Sequence, residues 1–295
     1  MRISKLTLSL LILIIMLSMF AARISNLISI SYDYASEDDQ VIPRPYDPSL
    51  VLDDENKHLM WFVQISDIHL SIFHDSGRIS DFNDFCNVTL DIIQPTVVLA
   101  SGDLADAKAI DSMGSRQFIQ EWHFYQDILQ KNNVEKKTMW LDIRGNHDNF
   151  NVPSIMEEKS HFHQFSIQGK RHLRSYMYRV TKDQQTYSFI GVDACLDPGP
   201  RRPFNFIGLL KSEEYQTLEN FERESRDSNG TVWFGHYPTS CIISPDPGIR
   251  NLMKNGVAYM CGHLHTLAGT VPKMYTLHRT GTLELELGDW KDNRL

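Results

Sequence analysis

Seven short apolar runs recur along this chain: MWFVQIS, TVVLAS, TMWLDI, YSFIGV, TVWF, VAYMC and TLELEL. Each is too short for a buried helix and is rich in Val, Ile, Phe, Tyr or Trp, the composition of strands covered on both faces. Longer segments with helical spacing lie between them, at residues 80–93, 115–130 and 209–226. Strands alternating with helices predict an α/β body, and the strand-rich part after Tyr187 predicts a second sheet. A chain of 295 residues, 42% of them hydrophobic, can build the core this requires. The last run, Leu283 to Leu287, alternates apolar and acidic residues and reads as an edge or half-exposed strand.

The runs end in a particular way. VQISDIHL closes on Asp67 and His69, VVLASGDLAD on Asp103 and Asp106, and LDIRGNHD on Asn146 and His147; VWFGHYP closes on His236, and AYMCGHLH on His263 and His265. Gly102, Gly145, Gly235 and Gly262 each stand immediately before one of these residues, where a missing Cβ permits a sharp exit from the strand. Ligands bind beyond the carboxyl ends of strands in an open α/β sheet, so five such loops predict one shared site. A single Asp-x-His or Gly-His pair is ordinary loop chemistry; five at five strand ends are not. Imidazole and carboxylate donors suit zinc, iron and manganese, and about seven donors exceed what one ion uses. Two divalent ions sharing a carboxylate are the natural arrangement for phosphoester hydrolysis.

The ordered set Asp67-x-His69, Gly102-Asp103-x-x-Asp106, Gly145-Asn146-His147-Asp148, Gly235-His236 and Gly262-His263-x-His265 resembles the calcineurin-like metallophosphoesterase superfamily, over residues 61–266. The resemblance implies a sandwich of two mixed β-sheets flanked by helices, with the active site at the strand C-terminal ends. It also implies that Asp67, His69 and His265 hold one metal ion, that Asn146, His236 and His263 hold a second, and that Asp103 bridges them. A hydroxide between the ions would attack phosphorus, with His147 as general acid and Asp106 as its acidic partner. Asp106 and Asp148 are equally residue types that cap turns after a glycine. Asp106 stands where purple acid phosphatases carry a tyrosine, and Ala107 where Ser/Thr protein phosphatases carry an arginine, which disfavours both subclasses. Arg144, His74 and Arg201-Arg202 are candidates for phosphate-binding charge or plain surface, and the loop DPGPRRPFNFIG at 197–208 for a pocket wall or a plain connection.

The expected activity is therefore metal-dependent hydrolysis of a phosphomonoester or phosphodiester. The alternative is a non-catalytic, membrane-associated scaffold that retains the metal site as a structural clip. A metallopeptidase is disfavoured because no HExxH is present, and a net charge of −8 without a Lys/Arg run gives no footprint for nucleic acid. Residues 6–22 form an uncharged apolar stretch after a basic start, so residues 1–31 read as a signal anchor or signal peptide. Residues 32–58 read as an acidic, Pro-containing tether, and 59–295 as the phosphoesterase domain, shortened at its C-terminus. The domain is then lumenal or extracellular, bound to a membrane of the secretory pathway, or secreted if the signal is cleaved; the sequons at Asn87 and Asn229 accord with that. The four cysteines show no CxxC spacing and read as small core residues, with one disulfide as the other possibility.

Overall fold

The computed structural model describes residues 13, 14, 17, 59–111, 113–158, 160–265, 275–288 and 290. The chain divides into two units, Met1–Val41 and Ile42–Leu295. In the first, Leu13, Ile14 and Leu17 are helical and exposed. The rest of the expected anchor and the whole tether at 32–58 lie outside the described residues. Among the described residues no helix is long and apolar enough to cross a membrane.

In the second unit every one of the seven apolar runs forms a strand. Strands β1 (Phe62–Ile65), β2 (Val97–Ala100) and β3 (Met139–Asp142) pair in parallel in that order. The second sheet uses β4 (Tyr176–Lys182), β5 (Gln185–Val192), β7 (Gly230–Gly235), β9 (Ala258–Cys261), β10 (Tyr275–Leu277) and β11 (Leu283–Glu286), in the order β10-β11-β9-β7-β5-β4. A two-stranded piece pairs β6 (Gly208–Leu209) with β8 (Ile242–Ile243). Mixed pairing is confined to the second sheet, where β4 and β10 run antiparallel to their neighbours; the first is purely parallel.

The pleat explains why the runs are apolar throughout. Val97 and Leu99 of β2 and Leu141 of β3 point into a core between the sheets, where they meet Phe189 of β5 and Val232 and Phe234 of β7. Their neighbours Val98, Ala100 and Trp140 point the other way. There they pack on helices α1 (Gly77–Asp84), α2 (Leu90–Ile93), α3 (Ile119–Lys131), α4 (Val134–Lys137) and α5 (His161–Phe165). Trp122, Tyr125, Ile128 and Leu129 of α3 recur every three or four residues and supply much of that layer. Ile190 and Trp233 face outward from the second sheet onto α6 (Ser212–Glu224) and α7 (Ile249–Leu252). Burial of each such side chain contributes about 1.5–3 kcal/mol.

Three readings change. The expected helix from 115 begins at Ile119, because Ser115 pairs with Lys108 and the Gln117 amide donates to the carbonyl of His147 at 2.7 Å. The second sheet starts before Tyr187, at β4, whose Arg179 and Lys182 mask an edge strand in the sequence. TLELEL is not an edge: β11 lies between β10 and β9, and Glu284 is buried. All four cysteines are free, and Cys86, Cys195 and Cys261 are buried as core residues.

Candidate metal centre

The parallel pairing of β1 and β2 continues past the strand ends. Asp67 N–H donates to the Gly102 carbonyl (3.0 Å), His69 N–H to Asp103 (2.9 Å) and Leu70 N–H to Leu104 (3.0 Å). These bonds bring the first two loops side by side, and β3, β7 and β9 deliver the other three from the same edge of the sandwich. The loops crowd closely enough that a Cβ on Gly145 would lie 2.2 Å from Asp103 Oδ1, and one on Gly262 would lie 2.0 Å from Ser66 Oγ. Only glycine fits there. Five of the seven expected ligands occupy the left-handed region: Asp67 (φ 55°), His69 (48°), Asp103 (52°), His263 (81°) and His265 (53°). Each such residue costs about 1–3 kcal/mol, and clustering of that kind is a mark of a functional site.

All seven come together, in two groups. In the first, Asp67, His69, Asp103 and His265 each place a donor atom within 4.8 Å of the others. His265 Nε2 is 2.9 Å from Asp67 Oδ1 and 3.2 Å from His69 Nε2, and His69 Nε2 is 3.7 Å from Asp103 Oδ2. In the second, Asn146 Oδ1 lies 2.8 Å from His236 Nε2 and 3.0 Å from His263 Nδ1, and Asp103 Oδ1 is 3.4 Å from His236 Nε2. Asp103 thus turns one oxygen to each group.

The outer nitrogens explain what these contacts are. His236 Nδ1 lies 3.0 Å from the Ser101 carbonyl, and His263 Nε2 lies 2.9 Å from the Phe206 carbonyl. A carbonyl accepts only, so each of those nitrogens carries the proton. In the neutral rings, His236 Nε2 and His263 Nδ1 then present lone pairs, 3.1 Å apart, toward an amide oxygen that is also an acceptor. Such a cluster repels itself unless positive charge sits among its members. The same logic holds for His69, whose Nδ1 faces Asp106 Oδ1 at 3.4 Å and leaves Nε2 free for the first group. The donor set therefore suits a divalent metal ion.

Titration behaviour agrees. Burial pushes Asp67 up, but hydrogen bonds with His265 and His69 outweigh it and hold the carboxyl well below the usual range. Asp103 behaves alike, with burial overcome chiefly by His236 and His147. Burial opposes a charge on His236, yet Asp103 lifts it to about 9, while burial and the neighbouring His236 press His263 down to about 3. The carboxylates demand positive charge between the rings.

His147 stands beside both groups without belonging to either. Its Nδ1 is 2.5 Å from the Asp106 main-chain carbonyl, and its Nε2 points toward Asp103 Oδ2 at 3.8 Å. Burial pushes its pKa well below the ordinary histidine value, against the pull of Asp103. The Asp106 carboxylate lies 3.9 Å from His147 Nδ1, but nearer Lys108 Nζ (3.1 Å) and His69 Nδ1 (3.4 Å). Asp106 therefore meets His147 through its backbone. His69, Asp106 and His147 also form a possible ligand triplet, which would share His69 with the first group. The Asp148 carboxylate accepts from Gly145 N (2.8 Å), Leu104 N (3.0 Å) and Ala105 N (3.0 Å), which ties the second loop to the third.

Several residues of the site carry no motif. Glu121, buried on α3, accepts from Ile72 N (3.2 Å) and Ala107 N (2.9 Å) and clamps the first two loops. Nothing in an amphipathic helix pattern distinguishes it from a surface glutamate. Asn205 donates to the Asn146 carbonyl (3.1 Å) and Phe206 orients His263, so the 197–208 loop does wall the pocket, with Arg202 and Pro203. Of the expected phosphate-binding charges, Arg144 is buried and bound to Asp193 at 2.6 Å, while Arg202 lines the pocket.

Comparison with known proteins bears on this arrangement. Transmembrane protein 62 of Mus musculus is 50% identical over 244 residues, covering 81% of this chain and 37% of that protein. An Arabidopsis thaliana protein, provisionally named a metallophosphoesterase, is 31% identical over 244 residues, covering 78% of this chain and 32% of its own length. The match thus spans about a third of these relatives. A solved structure, the GAP50 anchor in the inner membrane complex of Plasmodium, superimposes with a TM-score of 0.41 at 12% identity, over 78% of this chain and 71% of that one. Residues 60–267 match the family model for calcineurin-like phosphoesterases, and the chain belongs to that family.

Proposed function

We propose that this protein is a binuclear metal-dependent phosphoester hydrolase acting on a phosphomonoester or phosphodiester. The observation that carries the reading is the division of Asp103, one oxygen toward Asp67, His69 and His265 and the other toward Asn146, His236 and His263. Two divalent cations held there supply charge neutralisation of the phosphoryl oxygens and an acidified water. The chain's own residues do the rest. Oxygen from water bonds to phosphorus as the ester P–O bond breaks, His147 Nε2 delivers a proton to the leaving alcohol, and the proton shed by the water returns through solvent to Nε2. The Asp106 carbonyl keeps the other proton on Nδ1, so only Nε2 can exchange. Burial disfavours the charged ring, and a dianionic phosphoester beside it would restore that charge. Asp106 and Lys108 act behind this, holding His69 in its tautomer.

Residues 6–22 and the name of the mouse relative support membrane association, and the same segment supports a lumenal or extracellular site. The test is hydrolysis of aryl phosphates and bis-aryl phosphates by the full chain with Mn²⁺ or Zn²⁺, beside His147→Ala. Metal-dependent turnover, reduced at least about 100-fold in the variant, is expected. A folded protein that binds two ions per chain and hydrolyses neither substrate would instead be the scaffold.

A further inference from the structure

Exposed apolar side chains accompany the loops that wall the pocket. Phe206, 51% exposed, lays its ring 4.6 Å from that of His263, and Phe204, two residues earlier, is 67% exposed. In a second loop, Ser115 pairs with Lys108, and Ile110 and Met113 between them are exposed by 74% and 82%. Ser115 Oγ accepts from Arg202 N at 3.1 Å, so this loop is moored to the segment that bears the phenylalanines. Asn205, between them, is anchored on the carbonyl of the expected ligand Asn146. Two loops joined at Ser115 and Arg202, one of them tied to Asn146, thus carry four large exposed apolar side chains, referred to as the collar. Apolar surface gathered at one rim marks a binding site, whereas single exposed residues do not.

Charge says what the collar receives. The chain as a whole carries −8 and Asp111 lies between Ile110 and Met113, yet the side next to the metal centre is cationic: the Arg201 guanidinium lies 6.0 Å from the Phe204 ring centroid, and Arg202 lines the pocket itself. A small polar phosphoester needs none of this apolar surface. We propose that the substrate is an amphiphile, a phosphoester whose organic part is an alkyl chain or comparable apolar group, with the phosphate at the metal centre and the apolar part laid on Ile110, Met113, Phe204 and Phe206. This rests on the phosphoesterase reading and names its substrate class; the bonds made and broken are those of the hydrolysis above.

The experiment uses the full chain in nanodiscs of a phosphate-free glycolipid with Mn²⁺, empty discs being subtracted. Binding of butyl and decyl phosphonate, which cannot be hydrolysed, is measured by calorimetry, and turnover of butyl and decyl phosphate in parallel. A buried methylene is worth about fourfold in affinity, so six methylenes partly covered should give decyl at least ~30-fold tighter binding. Combining Met113→Ser with Phe204→Ser should cut that ratio below about threefold, with the thermal midpoint unchanged because both residues are exposed. Equal affinities for the two phosphonates, or a ratio the variant leaves intact, would overturn the collar. So would the same dependence on Met113 and Phe204 for uncharged decyl maltoside. Chain-length-dependent binding without turnover of either phosphate would remove the hydrolase reading and keep the collar; turnover of both without preference would do the reverse.

Discussion

Two buried clusters of this molecule are made of similar residues and behave oppositely. In the metal centre, histidines, carboxylates and an asparagine turn acceptor toward acceptor. On β11, Glu284 sits among Thr239, His278 and Arg250, and there donor meets acceptor: Glu284 Oε1 takes the Thr239 N–H (2.8 Å), Oε2 takes the Thr239 hydroxyl and His278 Nε2 (both 2.5 Å), and the Arg250 Nε–H donates to Thr239 Oγ1 (2.8 Å). The second cluster clamps the chain three residues after His236 with both carboxylate oxygens matched to donors, and only His278 Nδ1 is left without a partner. The first is incomplete by construction, with its backbone held in left-handed conformations that the surrounding sheets must impose. Burial of polar groups alone does not reveal a site; the pairing of their lone pairs does.

The comparison can be broken at either end. The largest effect should come from Asp103→Asn, which removes the shared charge: turnover on an aryl phosphate falls by about 10³-fold, equivalent to ~4 kcal/mol of barrier, while the metal-free protein stays folded. Retained turnover would mean Asp103 is not shared between ions. Glu284→Ala should do the converse, lowering unfolding free energy by ~3 kcal/mol in denaturant titrations because it strands buried donors, with two ions still bound per chain. Loss of metal stoichiometry in that variant would show the clamp to be part of the centre. Each Mn²⁺ or Zn²⁺ ion bound at about a hundred times its dissociation constant should stabilise the wild type by ~2.7 kcal/mol, reversed by a chelator, and His236→Ala should lose the gain from one of the two. An equal gain in both would place the ions elsewhere.

The smallest expected effect is on pH. Burial pushes the Glu284 carboxyl up, but its hydrogen bond to His278 and the histidine beside it outweigh that and hold it below its ordinary value of 4.5. A depressed acid stabilises the fold fully above its unfolded pKa and loses that contribution as pH falls through the folded one. Stability of the wild type should therefore decline below about pH 4.5 with an extra slope of at most ~1.4 kcal/mol per unit, absent in Glu284→Gln. Identical slopes would assign the acid sensitivity to other carboxylates.

Much of this architecture was legible beforehand, and the reasons are local. A strand buried on both faces must be apolar along its whole length, so Val97 to Ala100 and Val232 to Phe234 announce themselves. Strand β4 did not, because an edge strand tolerates the exposed Arg179 and lets Lys182 reach out to the Leu59 carbonyl. The alternation of Leu283 to Leu287 did mark a half-exposed strand, but it is not an edge, and Glu284 faces inward, where Thr239 and His278 receive it. Glu121 was invisible because the backbone amides it satisfies lie 49 and 14 residues away, in loops whose approach no helix pattern encodes.

The sequence by itself determined the kinds of donor, their order along the chain and their placement after strands, because strand, glycine and polar residue form a local pattern. Which atoms meet was decided only in the folded molecule. The His236 ring is set by a carbonyl 135 residues away and that of His263 by one 57 residues away, and those distant contacts choose which nitrogen keeps its proton. Lone pairs become metal ligands only when the rest of the fold has turned them toward one another.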